Sequence, residues 1–283
     1  MKNLFLMLLI CVCALVLPQN AGAQLRNGGL SDELAAQPCR FDKKEFLDSV
    51  SLLECIYEFT EIDTVLNEAN DHRLILQVGS RATYIQDYHA YYRDSIYRSR
   101  NYDMTLGEAM EISDKYRIGY RTKFTRKGQI YYCQGNVFLD AMEYADSTVH
   151  FNWQLHPDTL MVCGYLCRKA TATFRGVDWT VWYAEDLPFD AGPWKFNGLP
   201  GLVLKAIDGT STHLYEAIVV RKPHIAFIDK DIHNALIKCT RERFREALYH
   251  YVTNANSVVN TSGMFELSES TPQREFYSPQ ELE

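Results

Sequence analysis

The chain has 283 residues, a formal net charge of −7 and hydrophobic residues at 47% of its positions. This hydrophobic fraction is that of a globular protein rather than a disordered chain. The acidic balance provides no basic surface of the kind that nucleic-acid binding requires, so we expect no nucleic-acid partner.

The N-terminus has the three parts of a secretory signal peptide. Lys2 provides the positive charge, residues 4–16 form an apolar run, and Ala21-Gly22-Ala23 is a small-residue cleavage site. The apolar run is shorter than the roughly 20 residues that a membrane-spanning helix needs. We therefore expect cleavage near Ala23 and a periplasmic or secreted mature chain without a transmembrane segment.

The first half of the mature chain combines short strands with two helices. Period-two hydrophobicity predicts strands at 53–63, 73–78 and 82–85. The tyrosine-rich segment 88–100 is predicted to be helical. Thr105, with Glu108 three positions later, has the capping-box pattern that begins a second helix.

From residue 120 onward the pattern is that of an antiparallel sheet. Strands are predicted at 120–125, 129–133, 149–155, 161–174, 179–184, 202–207 and 214–221. The strongest helical pattern covers 231–252, where Asp231 can cap an apolar stripe. Residues 253–283 are polar, lack periodicity and are predicted to be a disordered tail, which leaves one domain at 24–252.

Residues 186–201 form a long connection that is rich in aromatic residues, proline and glycine. The residues predicted to fix its turns are Gly192, Pro193, Gly198 and Gly201. Gly201 is predicted to have a positive φ in a type II turn. The aromatic side chains can plug the end of a sheet as a hydrophobic lid, or they can contact a ligand. The residues predicted to bind a ligand are Trp182, Trp194, Phe196, Leu199 and Pro200.

Glu185 and Asp186 are the candidate catalytic residues. Adjacent carboxylates can serve acid–base chemistry, although such residues more commonly cap turns and face solvent. The sequence contains no GxSxG, P-loop or HExxH motif. No cofactor and no metal site is predicted.

Six of the eight cysteines follow the signal segment, and an even number in an exported chain suggests disulfides. On a single strand at 161–174, Cys163 and Cys167 would share a face about 13 Å apart, which is too far for them to pair with each other. We predict that at least one of them is oxidised, with Cys133 as its partner.

Three segments carry motifs of a known family. Residues 198–203 read GLPGLV, residues 164–170 read GYLCRKA, and residues 76–80 read LQVGS. With the tryptophan, proline and glycine pattern of 182–204, they resemble the GLPGLI family of exported proteins of Gram-negative bacteria. The resemblance covers about 76–206, with valine in place of the final isoleucine of the signature. It implies export to the envelope and a mainly β domain, and it brings neither a cofactor nor catalytic residues.

Together these patterns predict an α+β fold, built on a mainly antiparallel, curved β-sheet with a few helices at one side or edge. The leading hypothesis is a non-catalytic envelope protein that binds a peptide, a small hydrophobic ligand or an outer-membrane partner. The alternative is an envelope hydrolase that uses Glu185 or Asp186. A pocket with a nucleophile–base pair would favour the hydrolase, and an apolar groove without one would favour binding.

Overall fold

The computed structural model describes residues 32–41, 43–64, 68–120, 122–138, 140–232, 236–254, 257 and 279–282. The predicted signal segment and most of the predicted disordered tail lie outside these residues.

The described residues form mainly β-strands. In chain order the strands are β1 (Lys43–Asp48), β2 (Ser51–Asp63), β3 (Glu68–Gly79), β4 (Ala82–Asp87), β5 (Lys123–Lys127), β6 (Ile130–Val137), β7 (Asp140–Asp146), β8 (Gln154–Val162), β9 (Tyr165–Phe174), β10 (Val177–Ala184), β11 (Leu202–Asp208), β12 (His213–Arg221), β13 (Ile228–Ile232) and β14 (Ile237–Lys238).

Within the described ranges, twelve strands form one open sheet in the order β14-β7-β6-β5-β4-β3-β2-β12-β11-β10-β9-β8. Its strand pairs are antiparallel apart from the short parallel pair of β14 and β7. Strands β2 to β7 and strands β8 to β12 are two meanders, in which neighbours in space are also neighbours along the chain. The two meanders are joined by the antiparallel pair of β2 and β12. Strands β1 and β13 form a separate two-stranded ribbon.

Strand β2 shows that the centre of the sheet is covered on both faces. Cys55 and Tyr57 belong to the main hydrophobic core, whereas Ile56 between them belongs to a second cluster. Ile75 and Tyr91 complete this second cluster. Because successive residues of a strand point to opposite faces, the two clusters lie on opposite sides of the sheet.

Helices pack on both of these faces. They are α1 (Asp32–Ala35), α2 (Tyr88–Ser99), α3 (Leu106–Lys115) and α4 (Arg241–Thr253). Helix α2 carries Tyr91 of the second cluster, whereas α4 contributes Phe244 and Tyr251 to the main core. The capping box predicted for α3 is confirmed, because Thr105 and Glu108 each accept a hydrogen bond from the other's backbone N–H.

The predicted α+β class is wrong, because the protein is mainly β with a mixed, open sheet. The largest single error is the helix predicted at 231–252. The end of β13 and the short β14 occupy part of this range, and α4 begins only after Thr240, which caps it. Ile232 belongs to the predicted apolar stripe, but Ile232 and Ile237 are β-branched residues, which favour strands.

The single strand predicted at 161–174 is also wrong. This stretch is a hairpin of β8 and β9, with Cys163 and Gly164 at its turn. Their φ angles of 49° and 82° are those of a tight type I′ turn. Cysteine is an unusual residue at positive φ, which hides this turn from sequence patterns. The sequence did not predict strand β7. The strand predicted at 149–155 begins only at Gln154, as β8, so residues 149–153 lie outside it.

Candidate functional site

The loop that follows β10 folds back onto the main core. Trp194, Phe196 and Leu199 are each at most 4% exposed. The rings of Trp194 and Phe196 pack against Trp179, at centroid distances of 5.3 and 4.9 Å. In this structure these side chains therefore plug the sheet, as the first of the two interpretations of the loop requires.

Arg126 of β5 and Asp190 fix the outer part of the loop. Arg126 donates hydrogen bonds to the backbone carbonyl and the carboxylate of Asp190, at 2.6 and 2.8 Å. The same carboxylate accepts a hydrogen bond from the backbone N–H of Gly198. Pro193 is buried, and its carbonyl accepts a hydrogen bond from the N–H of Phe196 at 3.2 Å.

The glycines of the loop are required for two different reasons. The type II turn predicted with Gly201 at positive φ is wrong. Gly198 has a positive φ of 85°, whereas Gly201 lies outside the left-handed region. Gly201 is instead constrained by contact, because a Cβ there would lie 2.2 Å from the carbonyl oxygen of Ala184. A Cβ on Gly192 would similarly lie 2.8 Å from the Cβ of Val203.

An open groove of about 560 Å³ separates the end of this loop from the start of β8. Its two walls are formed by residues 198–200 and by residues 151–155. Trp153 joins the walls, because its indole N–H donates a hydrogen bond to the carbonyl of Asn197 at 2.7 Å. Its ring also stacks on Phe151 at a centroid distance of 4.8 Å. Of the predicted binding residues, Leu199 and Pro200 line this groove.

Beside the groove, β8 is the last strand of the sheet and is exposed along most of its length. Leu155 and Met161 are 60% and 61% exposed, and Leu166, which pairs with Met161, is 57% exposed. An edge strand offers backbone N–H and C=O groups to an additional strand. Pro157 and a register irregularity before Thr159 interrupt this edge, which confines such pairing to the two ends of β8.

The two candidate catalytic residues and Trp182 lie away from this groove. Glu185 and Asp186 are exposed where β10 ends, and Glu185 forms an ion pair with Arg168 at 3.4 Å. Exposed carboxylates of this kind are typical of solvent-facing turns. Trp182 is half-buried on β10 and does not line the groove.

The cysteines of the described residues all have free thiols. Burial raises the pKa of the Cys55 thiol, and the nearby Cys163 raises it further. Burial likewise raises the pKa of Cys133 to about 12, but its neighbours include Lys195 and Tyr144. The bridge predicted from Cys133 to Cys163 or Cys167 is not formed in this structure, which places Cys55 rather than Cys133 near Cys163.

A buried ionic cluster that the sequence did not indicate lies behind the loop. Lys195 is fully buried, and its Nζ donates hydrogen bonds to the Asp146 carboxylate and the Tyr144 hydroxyl, each at 3.1 Å. Arg175, at the β9–β10 turn, donates two hydrogen bonds to Asp146 at 2.8 and 3.0 Å. Burial raises the pKa of Asp146, but the hydrogen bonds and charges of Arg175 and Lys195 outweigh it and hold this pKa well below its ordinary value.

The C-terminal end of the chain completes this cluster. The carboxylate of Glu281, a residue that is 7% exposed, accepts hydrogen bonds from Lys195 at 3.1 and 3.2 Å and from Arg175 at 2.7 Å. The backbone of Leu282 donates a hydrogen bond to the carbonyl of Arg175 and accepts one from Arg245 of α4. Composition predicted disorder throughout this tail, whereas its described end packs against the sheet.

A second buried ionic group lies at the β11–β12 hairpin. His213 is 1% exposed, with Nδ1 at 3.3 Å from the Asp208 carboxylate and Nε2 at 3.6 Å from that of Glu61. Burial lowers the pKa of His213, but hydrogen bonds and charges from Asp208 and Glu61 outweigh it and raise this pKa to about 9. The two ring nitrogens of His213 thus face two carboxylates, and this group links the β11–β12 hairpin to β2.

A cavity of about 10 Å³ beside Tyr84 and Gln86 has room for a water molecule but not for a larger ligand. In the part of the chain that the structure describes, no group of three or more His, Cys, Asp or Glu side chains could hold a metal ion. No helix in that part is long and apolar enough to cross a membrane.

Residues 175–205 match a family described as a protein of unknown function, Porph_ging. The match covers β10, the loop and most of β11, and it includes one wall of the groove. No curated protein matches the sequence.

Solved structures of two proteins resemble the chain distantly. PNGF-II, in two crystal forms, matches with a TM-score of 0.47 and 16% sequence identity. The match covers 70% of this chain and 33% of PNGF-II, so the chain spans about a third of that protein. An uncharacterised conserved protein from Thermus thermophilus matches with a TM-score of 0.34 and 6% identity, over 68% of this chain and 93% of that one. Likenesses of this size carry no argument about function.

Proposed function

We propose that this protein is a non-catalytic binding protein that takes an extended, apolar peptide segment in the groove beside Trp153 and along the adjoining end of β8. The supporting observation is that an open groove of about 560 Å³ adjoins an exposed sheet edge. Leu155 belongs to both features, because it lines the groove and lies on the edge strand.

Two properties favour a peptide over a small hydrophobic ligand. The edge of β8 presents backbone donors and acceptors, which an extended peptide can satisfy by adding a strand and a hydrocarbon cannot. The groove is open, whereas pockets for small ligands usually enclose most of the ligand surface. Alternate apolar side chains of a peptide can pack in the groove while its backbone pairs with β8.

Selection from a phage-displayed library of random decapeptides tests this proposal. We expect enrichment of sequences with alternating apolar residues, and about tenfold weaker binding of a selected peptide to the Leu155→Asp variant. Phe46→Asp is the matched control, since Phe46 is also 60% exposed but lies on β1, and it should bind normally. A library without binders that depend on Leu155 would contradict the proposal.

The hydrolase alternative has less support. Glu185 and Asp186 are exposed at the end of β10, and the described groove is lined by other residues. A hydrolase of this kind needs a pocket in which a nucleophile and a base lie within reach of each other.

Export and membership of the GLPGLI family are also part of the proposal. They are supported by the signal-like N-terminus and by the motifs within 76–206. The intact mass of the protein isolated from the cell envelope should correspond to a chain that begins at Gln24 and carries no lipid. A mass that retains residues 1–23 would contradict this processing.

A further inference from the structure

We infer that the pocket around Lys195 is a binding site for an acidic peptide segment, and that its resident ligand is the chain's own C-terminal residues 280–282. This site is distinct from the groove beside Trp153, and the inference does not depend on the proposed function. Charge balance, the backbone contacts of the segment and the burial of Lys195 support this assignment.

The charge balance of the pocket requires an additional anion. Lys195, Arg175 and Arg241 converge from the loop, the β9–β10 turn and the start of α4, and each lies within 3.5 Å of the Glu281 carboxylate. Without Glu281, the buried Lys195 and Arg175 would share the single carboxylate of Asp146. Buried cations without enough countercharge are strongly unfavourable, so the pocket favours a carboxylate.

The pocket also contacts the segment on both sides of this carboxylate. The N–H of Leu282 donates to the carbonyl of Arg175 at 2.8 Å, and Arg245 donates to the carbonyl of Leu282 at 2.9 Å. On the other side, the amide of Gln280 donates a hydrogen bond to the hydroxyl of Tyr215. Backbone and side-chain contacts at three successive residues are a mode of peptide recognition rather than a single ion pair.

The docked segment covers the pocket. Lys195 is fully buried, and its Nζ contacts both oxygens of Glu281, so release of Glu281 would leave this amine without its cover. The rate at which a lysine reagent modifies Lys195 therefore reports whether the site is filled. Lys205 of β11, whose side chain is 23% exposed, serves as an internal reference.

The test uses the full chain and acetylation by sulfo-NHS-acetate, read out by peptide mass spectrometry. We expect Glu281→Gln to accelerate the acetylation of Lys195 relative to Lys205 by about tenfold, because the neutral amide binds the cations less strongly. Glu246→Gln on the exposed face of α4 is the control and should leave the rate unchanged.

A peptide added to the Glu281→Gln chain then tests recognition. The peptide Tyr-Ser-Pro-Gln-Glu-Leu-Glu, with the sequence of residues 277–283, should restore the protection of Lys195 in a saturable way. Two variants of this peptide have equal charge, with Gln at the position of either Glu281 or Glu283. Only the variant that keeps Glu281 should protect.

Two results would overturn the inference. One is that Lys195 stays protected in the Glu281→Gln chain, and the other is that both peptide variants protect equally, which would indicate a nonspecific charge effect. If Glu281→Gln unfolds the chain, Arg245→Ala replaces it, because this change removes the donor to Leu282 and leaves the buried charges in place. Lys195 must then react faster while Lys205 does not.

Discussion

At the scale of single residues, Gly201 shows that a sequence pattern can predict where glycine is needed without predicting why. The turn signal correctly marks this position as one that needs glycine. Glycine, however, has two separate properties, a tolerance of positive φ and the absence of a Cβ, and a sequence cannot tell which one a position uses. Here the second applies, because the carbonyl of Ala184 lies where a Cβ would be.

We expect Gly201→Ala to lower the free energy of unfolding by roughly 2–3 kcal/mol, because a new Cβ against backbone atoms forces β10 and β11 apart. Gly209→Ala is the matched control. It also lies outside the left-handed region, and its Cβ would meet only the Cβ of Asp178, at 3.3 Å, and the carbonyl oxygen of Asp178, at 3.7 Å. Urea denaturation measures the free energy of unfolding of both variants. Equal losses would argue against the view that position 201 needs glycine because the Ala184 carbonyl lies so close.

At the scale of elements, the loop of residues 185–201 acts as part of the core. Its aromatic side chains are buried against Trp179 on β10, and its outer part is held by Arg126. The loop therefore positions one wall of the groove by its own packing. Substitutions in its buried part should act mainly on stability.

We expect Trp194→Ala to lower the free energy of unfolding by roughly 3–5 kcal/mol, as for other large-to-small changes in a core. Trp182→Ala, at a half-buried position on β10, should lower the free energy of unfolding by less than Trp194→Ala does. Thermal and urea denaturation provide the measurement. An unchanged melting temperature together with loss of peptide binding would instead show that Trp194 contacts the ligand directly.

Elements with local signals were predictable, and elements that depend on distant partners were not. The capping box is encoded by Thr105 and Glu108, which are three positions apart, and it is confirmed. Strand β14 pairs with β7, about 95 residues away along the chain, and only this pairing distinguishes 237–238 from the helix that follows. The buried Lys195 cluster was missed for the same reason, because its members are far apart in sequence.

At the scale of the whole molecule, stability depends on ionic groups that fix opposite parts of the sheet. The Lys195 cluster ties the C-terminal end of the chain to β7 and the β9–β10 turn. His213 ties the β11–β12 hairpin to β2 through Glu61. These groups respond to pH in opposite directions, which gives the molecule a pH range of greatest stability.

We expect the free energy of unfolding to fall as pH rises from 6.5 towards 9. The pKa of His213 is raised from 6.5 to about 9, so its contribution is fully present below pH 6.5 and is lost as pH rises through the folded value. The shift corresponds to roughly 3 kcal/mol. Urea denaturation across this pH range should show the loss of unfolding free energy in the native chain and not in His213→Gln. An unfolding free energy of the native chain that does not change between pH 6.5 and 9 would refute this prediction.

The stability contribution of Glu281 depends on pH in the opposite direction and is lost in acid. Burial raises the pKa of Glu281, but the charges and hydrogen bonds of Lys195 and Arg175 outweigh it and lower this pKa below 4.5. Its contribution is therefore present above pH 4.5 and is lost as pH falls through the folded value. The C-terminal segment should leave its pocket when the pH falls below the folded pKa of Glu281.

The pairing of β2 with β12, which joins the two meanders, has a kinetic consequence. It pairs Tyr57 with Ala217, whereas the other pairs within each meander join strands that follow one another along the chain. Each meander can nucleate from local hairpins, but their union must close a loop of about 150 residues, and such nonlocal contacts slow folding. During synthesis the edge of β2 stays unsatisfied until β12 has been made. In that interval the nascent chain is most exposed to self-association.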